Sequence, residues 1–170
     1  WNICAEACKG FGGRVGDQAA QVHASKVDIM TLQEAGGQRV GPTTRAAFSG
    51  GPNARVMAEG GGNSRYILYS SQKFEQLAGG RWSIGHGRWA TWARLVDQET
   101  ERPFVVVSVH LLSGHNATGK RADEMRSLMG SLASVNPDGD PVVMAGDFNS
   151  GTHRRGDTVE DEQHARPFPA

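Results

Sequence analysis

The sequence predicts a layered α/β fold, on three observations. Three short runs rich in Val, Ile and Met (residues 27–33, 104–109 and 141–146) are bounded by Gly, Pro or Asp, the pattern of buried strands. Each leads into a residue that can handle a phosphate or a metal: Glu34, His110, and the Asp147-Phe148-Asn149 segment. The chain opens strand–helix–strand and reads as hairpins through its middle, so parallel and antiparallel pairing are both expected. Polar side chains just past the ends of buried strands are where layered α/β folds place their sites.

Taken in order, residues 1–5 read as the end of a strand, followed by a Gly-rich turn at 10–13. Val15, Ala19 and Val22 repeat at helical spacing, which predicts a helix over 15–24 before the strand at 27–33. Residues 35–64 are rich in Gly, Pro, Thr and Asn and predict a surface excursion with a short helix near 45–48. Residues 65–70 and 73–77 predict one hairpin. Residues 90–97 and 104–110 predict a second, joined through 98–102. Ala122, Met125, Leu128, Met129 and Leu132 line one face of a helix over 120–135, with Lys120, Arg121, Asp123, Glu124 and Arg126 mostly away from it. Asn136-Pro137-Asp138-Gly139 stops that helix, and the strand into Asp147 follows.

At 170 residues the chain supports one compact domain with a sizeable core. The expected division is a domain at 1–152 and a charged, mobile tail at 153–170, where apolar groups are sparse. Lys plus Arg equals Asp plus Glu, 18 against 18, so no global field draws the chain to nucleic acid or an anionic membrane. A local patch would still suffice. No apolar stretch approaches the roughly 20 residues that span a bilayer. The start at Trp1, without Met, reads as cropped or processed. Cys4 and Cys8, the only cysteines, either bridge or stand as two small thiols. A bridge would suggest export, and secretion is the slightly favoured location.

Phosphodiester cleavage needs an activated water, neutralised phosphoryl oxygens and help for the leaving oxygen. Mg²⁺ takes hard oxygen ligands and retains several waters, so one carboxylate and one amide oxygen can hold it. Glu34 and Asn2 fit that role. Asp147 is the candidate to take the proton from the attacking water, with Asn149 orienting the water or a phosphoryl oxygen. His110 is the candidate donor to the phosphate or the leaving group.

Trp1-Asn2-Ile3, Leu32-Gln33-Glu34-Ala35, Val109-His110-Leu111 and Gly146-Asp147-Phe148-Asn149-Ser150 occur in that order. With the spacing between them, the chain resembles the endonuclease/exonuclease/phosphatase superfamily, also called DNase I-like, from residue 1 to about 152. The Gly-Asp-Phe-Asn match is the most specific. The resemblance implies a four-layer α/β sandwich, two mixed β-sheets face to face with helices outside. It also implies Glu34 and Asn2 at the metal, Asp147 on the nucleophilic water, Asn149 as its companion, and His110 as the catalytic histidine.

One departure stands out. The resemblance implies further strands and a Ser-Asp-His motif after the Gly-Asp-Phe-Asn loop, and neither occurs before residue 170. His153 and His164 lack that context. The expectation is a sandwich lacking its C-terminal strands, with an exposed sheet edge and a companion segment completing the site.

Single residues have plainer readings. Glu34 by itself would more often be a solvated carboxylate, Asp147 an Asx-turn former, and His110 a satisfied core histidine. Trp82, Trp89 and Trp92 are read as core or cross-strand aromatics before base-stacking or lipid-inserting ones. Arg81, Arg88 and Arg94 suit a phosphate contact or a solvated strand face equally. Met125 and Met129 are read as helix packing. The favoured function is a Mg²⁺-dependent phosphodiester hydrolase, a nuclease on DNA or RNA, with Mn²⁺ or Ca²⁺ as alternative ions. The alternatives are a sphingomyelinase-like or small-phosphoester phosphodiesterase, and a catalytically incomplete phosphate- or partner-binding module.

Overall fold

A computed structural model describes residues 1–5, 8–36, 40–62 and 64–150. The tail expected at 153–170, with His153 and His164, lies outside the described residues. The elements are α1 (Phe11–Ala24), β1 (Ile29–Leu32), α2 (Gly41–Phe48), β2 (Arg55–Met57), β3 (Tyr66–Ser70), β4 (Phe74–Gly85), β5 (Arg88–Asp97), β6 (Pro103–His110), α3 (Thr118–Val135) and β7 (Val142–Asp147). Among the described residues, no helix is long and apolar enough to cross a membrane.

The strands form two sheets, in the orders β1-β3-β2 and β4-β5-β6-β7. Both mix directions. β6 and β7 run parallel beside two antiparallel pairings, and Asn2 bridges Gln33 in parallel beside β1. Alternation along the strands sorts their side chains into three cores. Tyr66 and Leu68 of β3 face Phe11, Val22 and Phe48 of α1 and α2. Ile67 and Tyr69 face across to Ala93, Leu95 and Val106 of the second sheet. Val105, Val107 and Val109 of β6 face Met125, Leu128 and Leu132 of α3. The order is therefore helix, sheet, sheet, helix: the four-layer sandwich, with a mostly apolar seam between the sheets. Toward one end the seam turns polar, where Gln33 Nε2 donates to Ser108 Oγ of the other sheet at 3.2 Å.

Several elements differ from expectation. Residues 65–70 and 73–77 do not form a hairpin, because β3 already has β1 on one side and β2 on the other and offers no free edge. The chain instead crosses at Ser71–Lys73 into the second sheet. There β4 runs to Gly85 and pairs with β5 through His86 and Gly87, both at positive φ (48° and 71°), the two-residue turn that suits a hairpin's twist. The short helix near 45–48 starts earlier, at Gly41, with Pro42 in its first turn. Arg121 and Glu124 of α3 are buried rather than solvated. Arg121 Nη1 donates to the Leu112 and Gly114 carbonyls, and Glu124 Oε2 accepts the Leu112 N–H, so both fasten the loop that follows β6. Met129, expected in the packed face, is 52% exposed. β7 is an edge strand among the described residues, and Val143 is 51% exposed. Cys4 and Cys8 are disulfide-bonded, with Cα atoms 5.4 Å apart.

Candidate active site

The expected site residues come from both sheets and meet at one end of the seam. Asn2 lies on the segment bridged to Gln33, and Glu34 follows β1 by two residues. His110 ends β6 and pairs in parallel register with Asp147, which ends β7. Neighbours in register point to the same face, so the register itself sets imidazole beside carboxylate. Glu34 needs a different device. Thr31 and Gln33 face the seam, so a continued strand would turn the next residue toward α1. Instead Glu34 takes φ 51°, which ends the strand and swings its carboxylate into the cleft.

The Asn2 amide joins the two carboxylates. Its Nδ2 donates to Glu34 Oε1 at 2.9 Å and to Asp147 Oδ2 at 3.2 Å. His110 Nε2 stands 3.9 Å from Glu34 Oε1 and 3.8 Å from Asp147 Oδ2. Asp147 divides its oxygens between two roles. Oδ1 accepts the Asn149 N–H at 2.9 Å, the Asx turn that the plainer reading allowed, while Oδ2 faces the cleft. Asn149, at φ 49°, donates through Nδ2 to the Leu111 carbonyl at 2.8 Å, so its side chain holds the loops after β6 and β7 together. Gly146 is dictated by close approach: at φ 148°, a Cβ there would sit on the Val109 carbonyl oxygen.

A cleft of about 310 Å³ is lined by Glu34, His110, Asp147 and Asn149 together with Gly36, Ser64, Arg65, Arg88 and Ser113. A larger groove of about 770 Å³ lies elsewhere, along Val56–Gly60 and Phe74–Gly79, and holds none of the expected site residues. Sequence reasoning passed over Arg65, treating it only as the start of a strand, and left Arg88 undecided. Arg65 sits just before an apolar strand, the mirror of the pattern that singled out Glu34, and that signal was available. Ser113 carried no such signal, because its loop is held by contacts with distant residues, Arg121 and Glu124 of α3 and Asn149.

His110 is 6% exposed. Burial, then the nearby Arg65 and Arg88, hold its imidazole below the ordinary value, against the opposite pull of Asp147 and Glu34. The Arg65 guanidinium is brought down to about 10, first by burial and then by Arg88, with Glu124 and Glu34 acting the other way. His110 is therefore neutral at pH 7, able to donate one N–H and accept at the other nitrogen.

The donor set suits a hard divalent cation. Two carboxylates share one amide partner. That matches an ion that keeps much of its water. Glu34 would offer such an ion a carboxylate oxygen in the cleft. Asn2, expected to lend an amide oxygen, presents its NH₂ to the carboxylates, because its Oδ1 accepts the Cys4 N–H at 3.1 Å.

A model of the Endonuclease/Exonuclease/phosphatase family matches residues 1–168. No curated protein matches the chain. Among solved structures the chain is similar to humanized D. rerio TDP2, at 16% identity and TM-score 0.73, over 100% of this chain and 66% of that one. It is also similar to the human Nocturnin catalytic domain with bound sulfate, at 17% identity and TM-score 0.71, over 96% and 65%. A third is ANGEL2, described as a 2′,3′-cyclic phosphatase, at 18% identity and TM-score 0.63, over 82% and 45%. At these identities the likeness is one of fold, and the chain spans about two-thirds of the first two structures and less of the third.

Proposed function

The chain belongs to the endonuclease/exonuclease/phosphatase family, whose members include nucleases, phosphodiesterases and phosphatases, and from that premise we propose that it hydrolyses phosphodiesters in nucleic acid with a divalent cation, Mg²⁺ first. One observation carries the reading: in a single cleft His110 Nε2 stands 3.9 Å from Glu34 and 3.8 Å from Asp147, three residues drawn from two sheets. D. rerio TDP2, similar to this chain at 18% identity in its complex with single-stranded DNA product, lends the nucleic-acid choice support.

When bound, the cation supplies positive charge to the phosphoryl oxygens. The chain's own groups do the rest. Asp147 Oδ2, facing the cleft while Oδ1 is taken by its own turn, accepts the proton of the attacking water. The water oxygen bonds to phosphorus in line with the ester oxygen that leaves. One P–O bond forms, one breaks, and the leaving oxygen takes up a proton from solvent water. His110, neutral before substrate binds, donates its N–H to a phosphoryl oxygen. Asn2 keeps the two carboxylates at a set separation, and Asn149 fixes the loop that carries Asp147.

The phospholipid alternative depended on an exposed aromatic hairpin. Trp82 and Trp92 instead stack on each other, with centroids 5.4 Å apart, and pack half-buried against the α3 core, while Trp89, also half-buried, lies under the Arg81 guanidinium at 5.2 Å. The test is cleavage of linear single-stranded DNA and of sphingomyelin by the protein, with Mg²⁺ and with EDTA. Mg²⁺-dependent DNA cleavage without sphingomyelin turnover is expected. Turnover of sphingomyelin alone would reverse the substrate choice, and inactivity on both substrates would favour the binding module.

A further inference from the structure

The cleft carries two kinds of charge. Glu34 and Asp147 gather around the Asn2 amide and His110 Nε2. Arg65 and Arg88 line the same cleft together with the hydroxyl groups of Ser64 and Ser113. The two guanidiniums lie near enough for each to be felt electrostatically, and Arg88 acts on His110 as well. Arg65 is 7% exposed and anchored, its Nη2 donating to the His110 carbonyl at 3.4 Å. Arg88 is half-buried and forms no ion pair with a carboxylate among the described residues. Glu124 and Glu34 offset part of the repulsion between the two guanidiniums, and planar guanidiniums match the oxygens of an added phosphate.

Resting on the phosphodiesterase reading, we infer that Arg65 and Arg88, with Ser64 and Ser113, form a second anion subsite that takes the terminal phosphate of an oligonucleotide, so that hydrolysis is directed to a phosphorylated chain end. Two further observations fit this substrate class. The cleft, about 310 Å³, is at the small end for ligand pockets and suits one nucleotide unit rather than a length of duplex. The chain's 18 basic residues are matched by 18 acidic ones, so no long cationic track is available, and recognition falls to a local pair. The bond chemistry is unchanged: water adds to the internal phosphorus, its ester P–O bond breaks, and the terminal phosphate is held intact.

The test compares two single-stranded DNA 8-mers, identical except for a terminal phosphate or hydroxyl, with the natural polypeptide, its Arg88→Gln variant and its Arg88→Lys variant. Each variant is first checked for an unchanged melting profile. Binding of both oligonucleotides to the Asp147→Asn polypeptide is measured separately by fluorescence anisotropy. The parent is expected to prefer the phosphorylated end by about tenfold in kcat/KM, the scale of one or two charge-assisted hydrogen bonds. Arg88→Gln is expected to erase most of that preference, and Arg88→Lys to keep part of it. Equal cleavage of the two oligonucleotides overturns the subsite while leaving the phosphodiesterase reading intact. Cleavage of neither overturns that reading, and anisotropy then decides the subsite alone: tighter binding of the phosphorylated end supports it, and equal or absent binding ends it.

Discussion

Gly146→Ala tests whether the end of β7, and with it Asp147, depends on a close approach that only glycine permits. The residue sits at φ 148°, and a Cβ there would fall on the carbonyl oxygen of Val109, its partner in the parallel β6–β7 register, within 2.9 Å of that residue's C and N atoms as well. The colliding atoms are backbone, so no side chain can swing aside. Backbone strain at such a φ costs about 1–3 kcal/mol, and forcing a methyl into a packed position costs about 1–3 kcal/mol more. A destabilisation of about 2–6 kcal/mol is therefore expected, a large share of the roughly 5–15 kcal/mol that holds a domain folded. Gly139→Ala is the control. It also has positive φ, 71°, but nothing lies within 4 Å of its added Cβ, so only the backbone term of about 1–2 kcal/mol applies. Both are read by equilibrium urea unfolding, with the slope checked for constancy. If Gly146→Ala costs no more than Gly139→Ala, the close approach of β6 and β7 does not require glycine, and the account of this strand end is wrong.

Four other outcomes are expected. Asp147→Ala and Glu34→Ala should each lower Mg²⁺-dependent cleavage by roughly 10²–10⁴-fold without unfolding the chain, and near-normal rates in either would count against the assigned roles. EDTA should abolish cleavage and added Mg²⁺ restore it; activity in excess chelator would remove the cation from the mechanism. Leu128, fully buried between β6 and α3, should cost about 2–5 kcal/mol on truncation to Ala, measured by denaturant unfolding. Glu124 gives a pH test. Burial raises its carboxyl above the ordinary 4.5, more than the Leu112 N–H and the cations Arg88, His86 and Arg121 lower it. The folded state then holds the proton more tightly than the unfolded one, so this residue's contribution is full below pH 4.5 and is lost as pH rises through the folded value. The stability of Glu124→Gln relative to the parent should therefore increase as pH rises above 4.5, and parallel or converging profiles would refute the sign.

The strand ends were legible for a local reason. A buried run of Val and Ile can carry Glu, His or Asp only where it leaves the core, so Glu34, His110 and Asp147 stood out without knowledge of which strands pair. The α3 stripe was legible in the same way at Met125, Leu128 and Leu132, but not at Ala122, which is exposed. Arg121 and Glu124 were not, because their inward turn depends on the Leu112 and Gly114 backbone groups, which belong to another element. The crossing between β3 and β4 was hidden too, since a short polar connection looks alike whether it joins neighbours or leads to another sheet. Only the occupancy of both β3 edges excludes the hairpin.

By itself, then, the sequence determined the alternation of strands and helices, the strand ends that bear catalytic side-chain types, and the Gly-Asp-Phe-Asn turn. All of these follow from periodicity and turn chemistry within a few residues. The tertiary structure alone decided that the strands divide into two facing sheets and that the Asn2 amide joins two carboxylates 113 positions apart, Glu34 and Asp147. It also brought Arg65 and Arg88 into the cleft. The reason is physical: pairing, burial and electrostatic neighbourhood arise between segments distant along the chain, so no local window of residues encodes them.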